Sequence, residues 1–299
     1  MASQTNPWTP DVDLDDIVAA QLIGVRFADL DAKSVELIGR GWDNHAYLVD
    51  RSIVVRIPHR QSGENLMRTE CDVLRYLSKF CLPLDIPIPK YVAEPRADYP
   101  YTIAGYSIIE GVTADSVIWL PEQRARNAGR LGAFLRELHR VPTNVPFALK
   151  DEIRRSDLTY RVGHVLERLK VEPPGFAELL TDLATTTSHK ADSVWVHGDL
   201  YPRHLITDCN REVCGVIDWG DVHVGDPALD LAIAWMFLPA HSWPDFRSAY
   251  GEIDEAAWRR ARFRAMTHWV YLSDYAEQSA DEPLRRECEF LLANVMMTN

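Results

Sequence analysis

The chain has 299 residues, 46% of them hydrophobic and 25% charged, enough to bury a core in one large or two modest domains. A formal net charge of −12 argues against nucleic acid as a main partner, because a phosphate backbone demands a basic face. No uninterrupted apolar run approaches membrane-spanning length, and the five scattered cysteines lack a Cys-x-x-Cys spacing, so they read as free thiols of a reducing cytoplasm.

Residues 1–10 read as a loose lead, and the acidic, proline-containing stretch to Asp16 does not have the make-up of a signal peptide. Asp11 to Gly24 carries the first helical pattern, with Asp11 as the predicted cap and Gly24 as the stop. From Ser34 to Pro58 the period changes: Val35 and Leu37, then Ala46 and Leu48, then Ile53, Val54, Val55 and Ile57 predict three short strands. Turns at Gly39 to Asn44, through Trp42, and at Asp50 to Ser52 separate them. Glu64 to Lys79 returns to helical spacing, placing Glu70 beside the apolar Val73, Leu74 and Leu77. Cys81 to Pro89 is a proline-rich extended connector, and Tyr101 to Ile109 is a further strand ended by Glu110-Gly111.

Leu120 to Arg140 is predicted as one long helix opened by Pro121, burying Leu131, Phe134, Leu135 and Leu138. Phe147 to Val171 and Gly175 to Ala184 read as two more helices, and Thr185 to Ser188 as a polar turn. His139, His164 and His189 are isolated and read as surface or capping residues. Pro227 to Leu238 is a buried-type helix, and the tail from Trp243 to Asn299 is helical, rich in both aromatic and acidic side chains.

The stretch from Val194 to Asp230 holds the chemistry. Val194 to Val196 is a short strand pattern that stops at His197-Gly198-Asp199, and Cys214 to Ile217 is another that stops at Asp218-Trp219-Gly220. Asp208, Asn210 and Arg211 form a polar turn between Leu205-Ile206 and the second run. Two carboxylates delivered on neighbouring strand ends suit the joint holding of a divalent cation and a nucleophile. The order His197, Asp199, Leu200, His204 and then Asp218, Gly220 follows the two spaced motifs of protein kinases, with Gly, His and Trp in place of Arg, Asn and Phe.

Through Gly225-Asp226-Pro227 and Asp230, this run resembles the aminoglycoside phosphotransferase family of small-molecule kinases, and most of all its members that modify a 2″-hydroxyl, with macrolide kinases next. The resemblance implies an α+β, protein-kinase-like fold. A small N-terminal lobe (1–110), with an antiparallel sheet, would bind nucleotide, and a larger, mainly helical lobe (111–299) would bind substrate and carry catalysis. It implies Asp199 as the base for the acceptor hydroxyl, Asp218 as a ligand of Mg²⁺, and His204 as a second ligand or a loop-ordering donor. Arg56 stands where kinases place a phosphate-contacting Lys, and Glu70 where its partner lies. Asp226 and Asp230 are expected to brace the catalytic loop.

Ser107, Ile108 and Ile109 correspond to the hinge that binds the base of ATP or GTP, and the bulky Tyr106 before them raises GTP as the donor. The implied activity is phosphorylation of a small-molecule hydroxyl, an aminoglycoside first, by a monomeric cytoplasmic enzyme. Asp274 and Glu277, three apart on a helix, with Trp269 and Tyr271 as an aromatic floor, suit a cationic sugar. Two rival readings stay open: a metal hydrolase built on His197, Asp199, His204 and Asp218, and a nucleotide-binding regulator without catalysis.

Overall fold

A computed structural model describes residues 11–12, 14–41, 43–187 and 193–297; the lead 1–10, Trp42, Ser188 and His189 lie outside the described residues. The chain divides into two compact units, Met1–Lys79 with Ile86–Ile109, and Phe80–Asp85 with Glu110–Asn299.

The first unit contains α1 (Asp16–Arg26), β1 (Val35–Arg40), β2 (Asn44–Val49), β3 (Ile53–Pro58), α2 (Gln61–Leu77), β4 (Pro89–Ala93) and β5 (Ile103–Ser107). The strands form one antiparallel sheet in the order β1-β2-β3-β5-β4. Strand period two sorts β3 between two partners. Ile53, Val55 and Ile57 join Leu22, Ile23 and Phe27 of the α1 region in a buried apolar cluster. Val54 and Arg56 turn to the opposite face, where the Arg56 guanidinium meets Glu70 of α2. On β2 the buried residues are His45, Tyr47 and Val49, so the expected pair Ala46 and Leu48 has the other face. Tyr47 stands opposite Val55, and this register fixes the assignment.

Helix α1 begins later than expected. Its cap is Asp15, whose carboxylate accepts from Val18 N at 2.7 Å. Asp11 instead accepts from Gln61 N at 2.8 Å, at the start of α2, and Gly24 lies within α1.

The second unit opens with β6 (Val112–Thr113), α3 (Pro121–Ala125), α4 (Ala128–Arg140), α5 (Leu158–Arg168) and α6 (Phe176–Ala184). The expected single helix over 120–140 is broken at Asn127. That fully buried amide donates to Gln123 O and Arg211 O and accepts from Val213 N at 2.7 Å, satisfying groups on two other segments. The expected helix over 147–171 shrinks to α5, because Asp151 takes the Arg155 and Ser156 amides into a turn and Asp157 caps at Tyr160 N.

Next come β7 (Val194–Val196), β8 (Leu205–Thr207), β9 (Val213–Val216) and β10 (His223–Gly225). The polar turn at Asp208 joins β8 and β9 as a hairpin, whereas β7 pairs with β10. The strands leading to Asp199 and Asp218 are therefore not neighbours in one sheet, contrary to expectation. Short helices α7 (Ala228–Leu231) and α8 (Ile233–Phe237) replace the single helix expected over 227–238. The tail folds into α9 (Trp243–Tyr250), α10 (Glu255–Ser279) and α11 (Glu282–Val295). Trp235, Trp243 and Trp258 pack as a ring cluster with centroids 4.2–5.6 Å apart.

Candidate active site

The loop after β7 is held from beneath. Gly198 has φ +82°, and a Cβ there would come within 2.6 Å of Asp221 O, so only glycine fits. The fully buried Asp230 accepts from His197 N at 2.7 Å and Gly198 N at 3.0 Å. Burial acts to raise the Asp230 pKa, but hydrogen bonding and charge from His139, with His197 and the Gly198 amide, outweigh it and hold the carboxyl below its ordinary range. His139 is thus no surface residue: it is buried, 2.8 Å from Tyr250 Oη and 3.5 Å from Asp230. His164 is exposed, as expected.

His197 braces the loop. Its Nε2 donates to Ile217 O at 2.9 Å and its Nδ1 accepts from Asp199 N at 3.3 Å, a pattern that requires the neutral ring. Burial likewise lowers its pKa. The Trp219 ring packs edge-on against it at 4.9 Å and donates to Val216 O, which ties the Asp218 turn to the Asp199 loop.

His204 stands between the two carboxylates. Its Nδ1 lies 2.8 Å from Asp199 O and 4.0 Å from Asp199 Oδ2, and its Nε2 lies 3.4 Å from Asp218 Oδ2. Burial opposes a charge on this ring, but the Asp218 hydrogen bond and the charges of Asp218 and Asp199 prevail, raising its pKa. Asp218 sits at φ +62°, a left-handed conformation that Asp tolerates better than most residues, and its side chain is 46% exposed.

Helix α10 supplies residues that the motif reading did not single out. Arg260, Arg264 and His268 recur at intervals of four, all buried. Arg260 pairs with Asp226 at 2.7 Å. Arg264 donates to Gly198 O at 3.2 Å and Asp199 Oδ1 at 3.1 Å, and His268 Nε2 lies 3.5 Å from the same oxygen. The Arg-x-x-x-Arg-x-x-x-His spacing was visible, but a cationic stripe on a helix ordinarily reads as a solvated face.

Asp274, six residues beyond His268, is turned about 120° from it around the helix. It pairs with Lys170 and accepts from Gln278 at 2.8 Å, while Glu277 is exposed. Trp269 packs on Phe176 at 5.0 Å, and the Arg168 guanidinium lies 5.1 Å from the Tyr271 ring. Trp269, Tyr271 and Asp274, three of the four residues expected to meet substrate, therefore contact α5, α6 and the segment that joins them. Among the described residues, no hydrogen bond or ion pair joins Asp274 or Glu277 to Asp199.

In the first unit, Arg56 Nη1 donates to both Glu70 oxygens at 2.7 and 2.8 Å, and its Nε donates to Asn44 Oδ1 at 3.2 Å. The pair is buried rather than a surface salt bridge, with side chains 14% and 1% exposed. Tyr106 faces α2, fully buried, with its hydroxyl 3.3 Å from Met67 Sδ. At the predicted hinge, the Ile108 amide donates to Ser52 O at 2.9 Å, Ser107 is exposed and Ile109 half-buried.

The profile of the phosphotransferase enzyme family, APH, matches residues 34–264. The chain belongs to the APH family. It is 30% identical over 194 residues to an aminoglycoside 3′-phosphotransferase of Streptomyces ribosidificus, covering 61% of this chain and 70% of that protein. A counterpart from Streptomyces fradiae is 32% identical over 192 residues, covering 61% and 69%. Among solved structures, the GDP complex of wild-type aminoglycoside 2′-phosphotransferase-IIIa superposes with a TM-score of 0.71 at 22% identity, covering 94% of this chain and 99% of that one. Macrolide 2′-phosphotransferase type I superposes with a TM-score of 0.66 at 22% identity, covering 96% and 100%. The five-stranded antiparallel sheet and the helical region are those of the kinase-like APH fold, and the protein is a small-molecule phosphotransferase. Among its described residues, no helix is long and apolar enough to cross a membrane.

Proposed function

We propose that this APH member transfers the terminal phosphoryl group of ATP or GTP to a hydroxyl of an aminoglycoside. The observation that carries the reading is the pair Asp199 and Asp218 around His204, with 4.0 and 3.4 Å separating carboxylate oxygens from the two ring nitrogens. Phosphoryl transfer asks for little covalent chemistry from the protein and much positioning. Asp199 accepts the proton of the acceptor hydroxyl as that oxygen attacks phosphorus.

A magnesium ion would neutralise charge on the donor phosphates, and Asp218 fits it: Mg²⁺ is commonly held by one or two carboxylates with substrate phosphates. His204 fits less well. Mg²⁺ prefers oxygen to imidazole nitrogen, so His204, whose Nδ1 lies 2.8 Å from Asp199 O and whose Nε2 faces Asp218 Oδ2 at 3.4 Å, serves first as the loop-ordering donor. Arg56 and Glu70 form the ion pair of the nucleotide-binding lobe, 1–110, in which Arg56 contacts phosphate oxygens. Ser107 and Ile109 offer backbone groups to the base, and Tyr106 sets the choice between ATP and GTP.

In the catalytic and substrate-binding lobe, 111–299, the ammonium groups of the acceptor meet Asp274 and Glu277, with Lys170 displaced from Asp274, over Trp269 and Tyr271. The aminoglycoside choice is favoured by relatives of that name at 30–32% identity. The test is a screen of aminoglycosides and macrolides for nucleotide-dependent mass gain of one phosphate. Gain on macrolides alone overturns the substrate class; gain on neither class moves the acceptor to another small-molecule hydroxyl.

A further inference from the structure

Helix α10 places two basic groups, one turn apart, on a single oxygen of Asp199. Arg264 Nη2 is 3.1 Å and His268 Nε2 3.5 Å from Oδ1, while Arg264 also takes Gly198 O. The other carboxylate oxygen, Oδ2, has His204 Nδ1 at 4.0 Å, too long for a hydrogen bond. The carboxylate is thereby oriented, one oxygen held from the helix side and one left to receive a proton.

The arrangement is an expensive way to build a core. Arg264 and His268 have side chains only 8% and 7% exposed, and Arg264 Nε and His268 Nδ1 are buried without a hydrogen-bond partner among the described residues. Leaving buried polar atoms unsatisfied forfeits their hydration. Burial, with Arg155 and Arg161 adding to it against the pull of Asp199, lowers the Arg264 pKa to about 10. Apolar side chains would pack the same volume without these penalties, so what the two residues give in return is the contact with Asp199 and Gly198 O.

We propose that Arg264 and His268 are positioning residues that fix the Asp199 carboxylate for proton transfer, a role that rests on the reading of Asp199 as the base. Arg264 holds both the loop carbonyl and the carboxylate; His268 sets the rotation of the carboxylate about its bond to Cβ.

The test compares Arg264→Met, Arg264→Lys, His268→Leu, His268→Gln and Asp199→Asn, with MgATP or MgGTP as donor and kanamycin, or water in its absence, as acceptor. Misplacing a reacting group by about 1 Å costs on the order of 10²-fold in rate, so Arg264→Met is expected to lose about that much kcat with the nucleotide KM little changed. His268→Leu is expected to lose roughly tenfold, and His268→Gln, which keeps a donor near the Nε2 position, to recover most of it. Arg264→Lys should recover part, lacking the guanidinium fork. In the Asp199→Asn background, adding Arg264→Met or His268→Leu should cost no further kcat, because residues acting as a unit are non-additive. The positioning role is overturned if Asp199→Asn loses kcat while Arg264→Met and His268→Leu keep the parental value, or if their losses add to that of Asp199→Asn. Should Arg264→Met not fold, the two His268 variants decide the matter alone. Parental turnover by Asp199→Asn would instead sink the base assignment.

Discussion

Removing the acceptor beneath the His197–Asp199 loop is the most direct perturbation of this site. Asp230→Ala leaves the His197 and Gly198 amides buried with no acceptor, and each orphaned donor costs about 1–3 kcal/mol. The sum, roughly 2–6 kcal/mol, is a large fraction of the ~5–15 kcal/mol that holds a typical domain together. Asp230→Asn retains one acceptor oxygen and should lose about half as much. With those two amides unheld, the loop that carries Asp199 loses its anchor, and turnover should fall along with the urea midpoint. The Asp230 pKa is depressed in the fold, so its stabilisation is complete above the unfolded carboxyl value near 3.8 and fades as pH falls from there toward the folded value. The asparagine variant should lack that acid limb. An Asp230→Asn protein with the parental urea midpoint, acid profile and kcat would refute the bracing argument.

Four further outcomes follow from the same geometry. Asp218→Asn should raise the magnesium concentration needed for half-maximal turnover; an unchanged requirement would make the turn structural. Arg56→Met removes the two hydrogen bonds that Arg56 gives the 1%-exposed Glu70 carboxylate and should destabilise by about 3–5 kcal/mol in urea unfolding, whereas replacing both residues by apolar ones should recover much of that. Tyr106→Ala should change the ratio of kcat/KM for GTP and ATP, and an identical ratio in parent and variant removes Tyr106 from base selection. Neutralising Asp274 and Glu277 together should raise the KM for kanamycin at low salt far more than it shifts thermal stability, with the difference shrinking in 1 M salt, where the Debye length is about 3 Å; an unaltered KM would discard the acidic rim.

Elements with strict local periodicity were legible in the sequence. The three strands between Ser34 and Pro58, the helix carrying Glu70 and the hairpin around Asp208 all formed near their expected places. Period alone does not choose a face, however, and β2 turned His45, Tyr47 and Val49 inward because its register is set against β3. Helices failed where a polar side chain captured backbone groups outside the helical pattern. Asn127 broke the helix at 120–140 to satisfy Val213 N, and Asp151 folded the 147–157 stretch into a turn by capturing two amides. The first event has no signature within a helical window, since Val213 lies 86 residues from Asn127; the second is local, with Asp151 reaching amides four and five residues on.

At the site, the order of motif residues carried Asp199, His204 and Asp218 into contact range because all three belong to one loop-hairpin-loop segment. What closes around that segment arrives from far along the chain. Arg264 meets Asp199 across 65 residues, and Arg260 meets Asp226 across 34. Its spacing of four reports only that the stripe shares a helix face; whether that face meets water or carboxylates depends on how α10 packs. Here it packs on α7, which carries Asp230, so a single helix face neutralises Asp226 and grips the loop whose amides Asp230 binds. Charges that would be unremarkable on a solvated surface become determinants of geometry once buried, because a lone buried carboxylate or guanidinium is too costly to leave unpaired. The orientation of Asp199 is thus tied to the docking of a helix far from it in sequence.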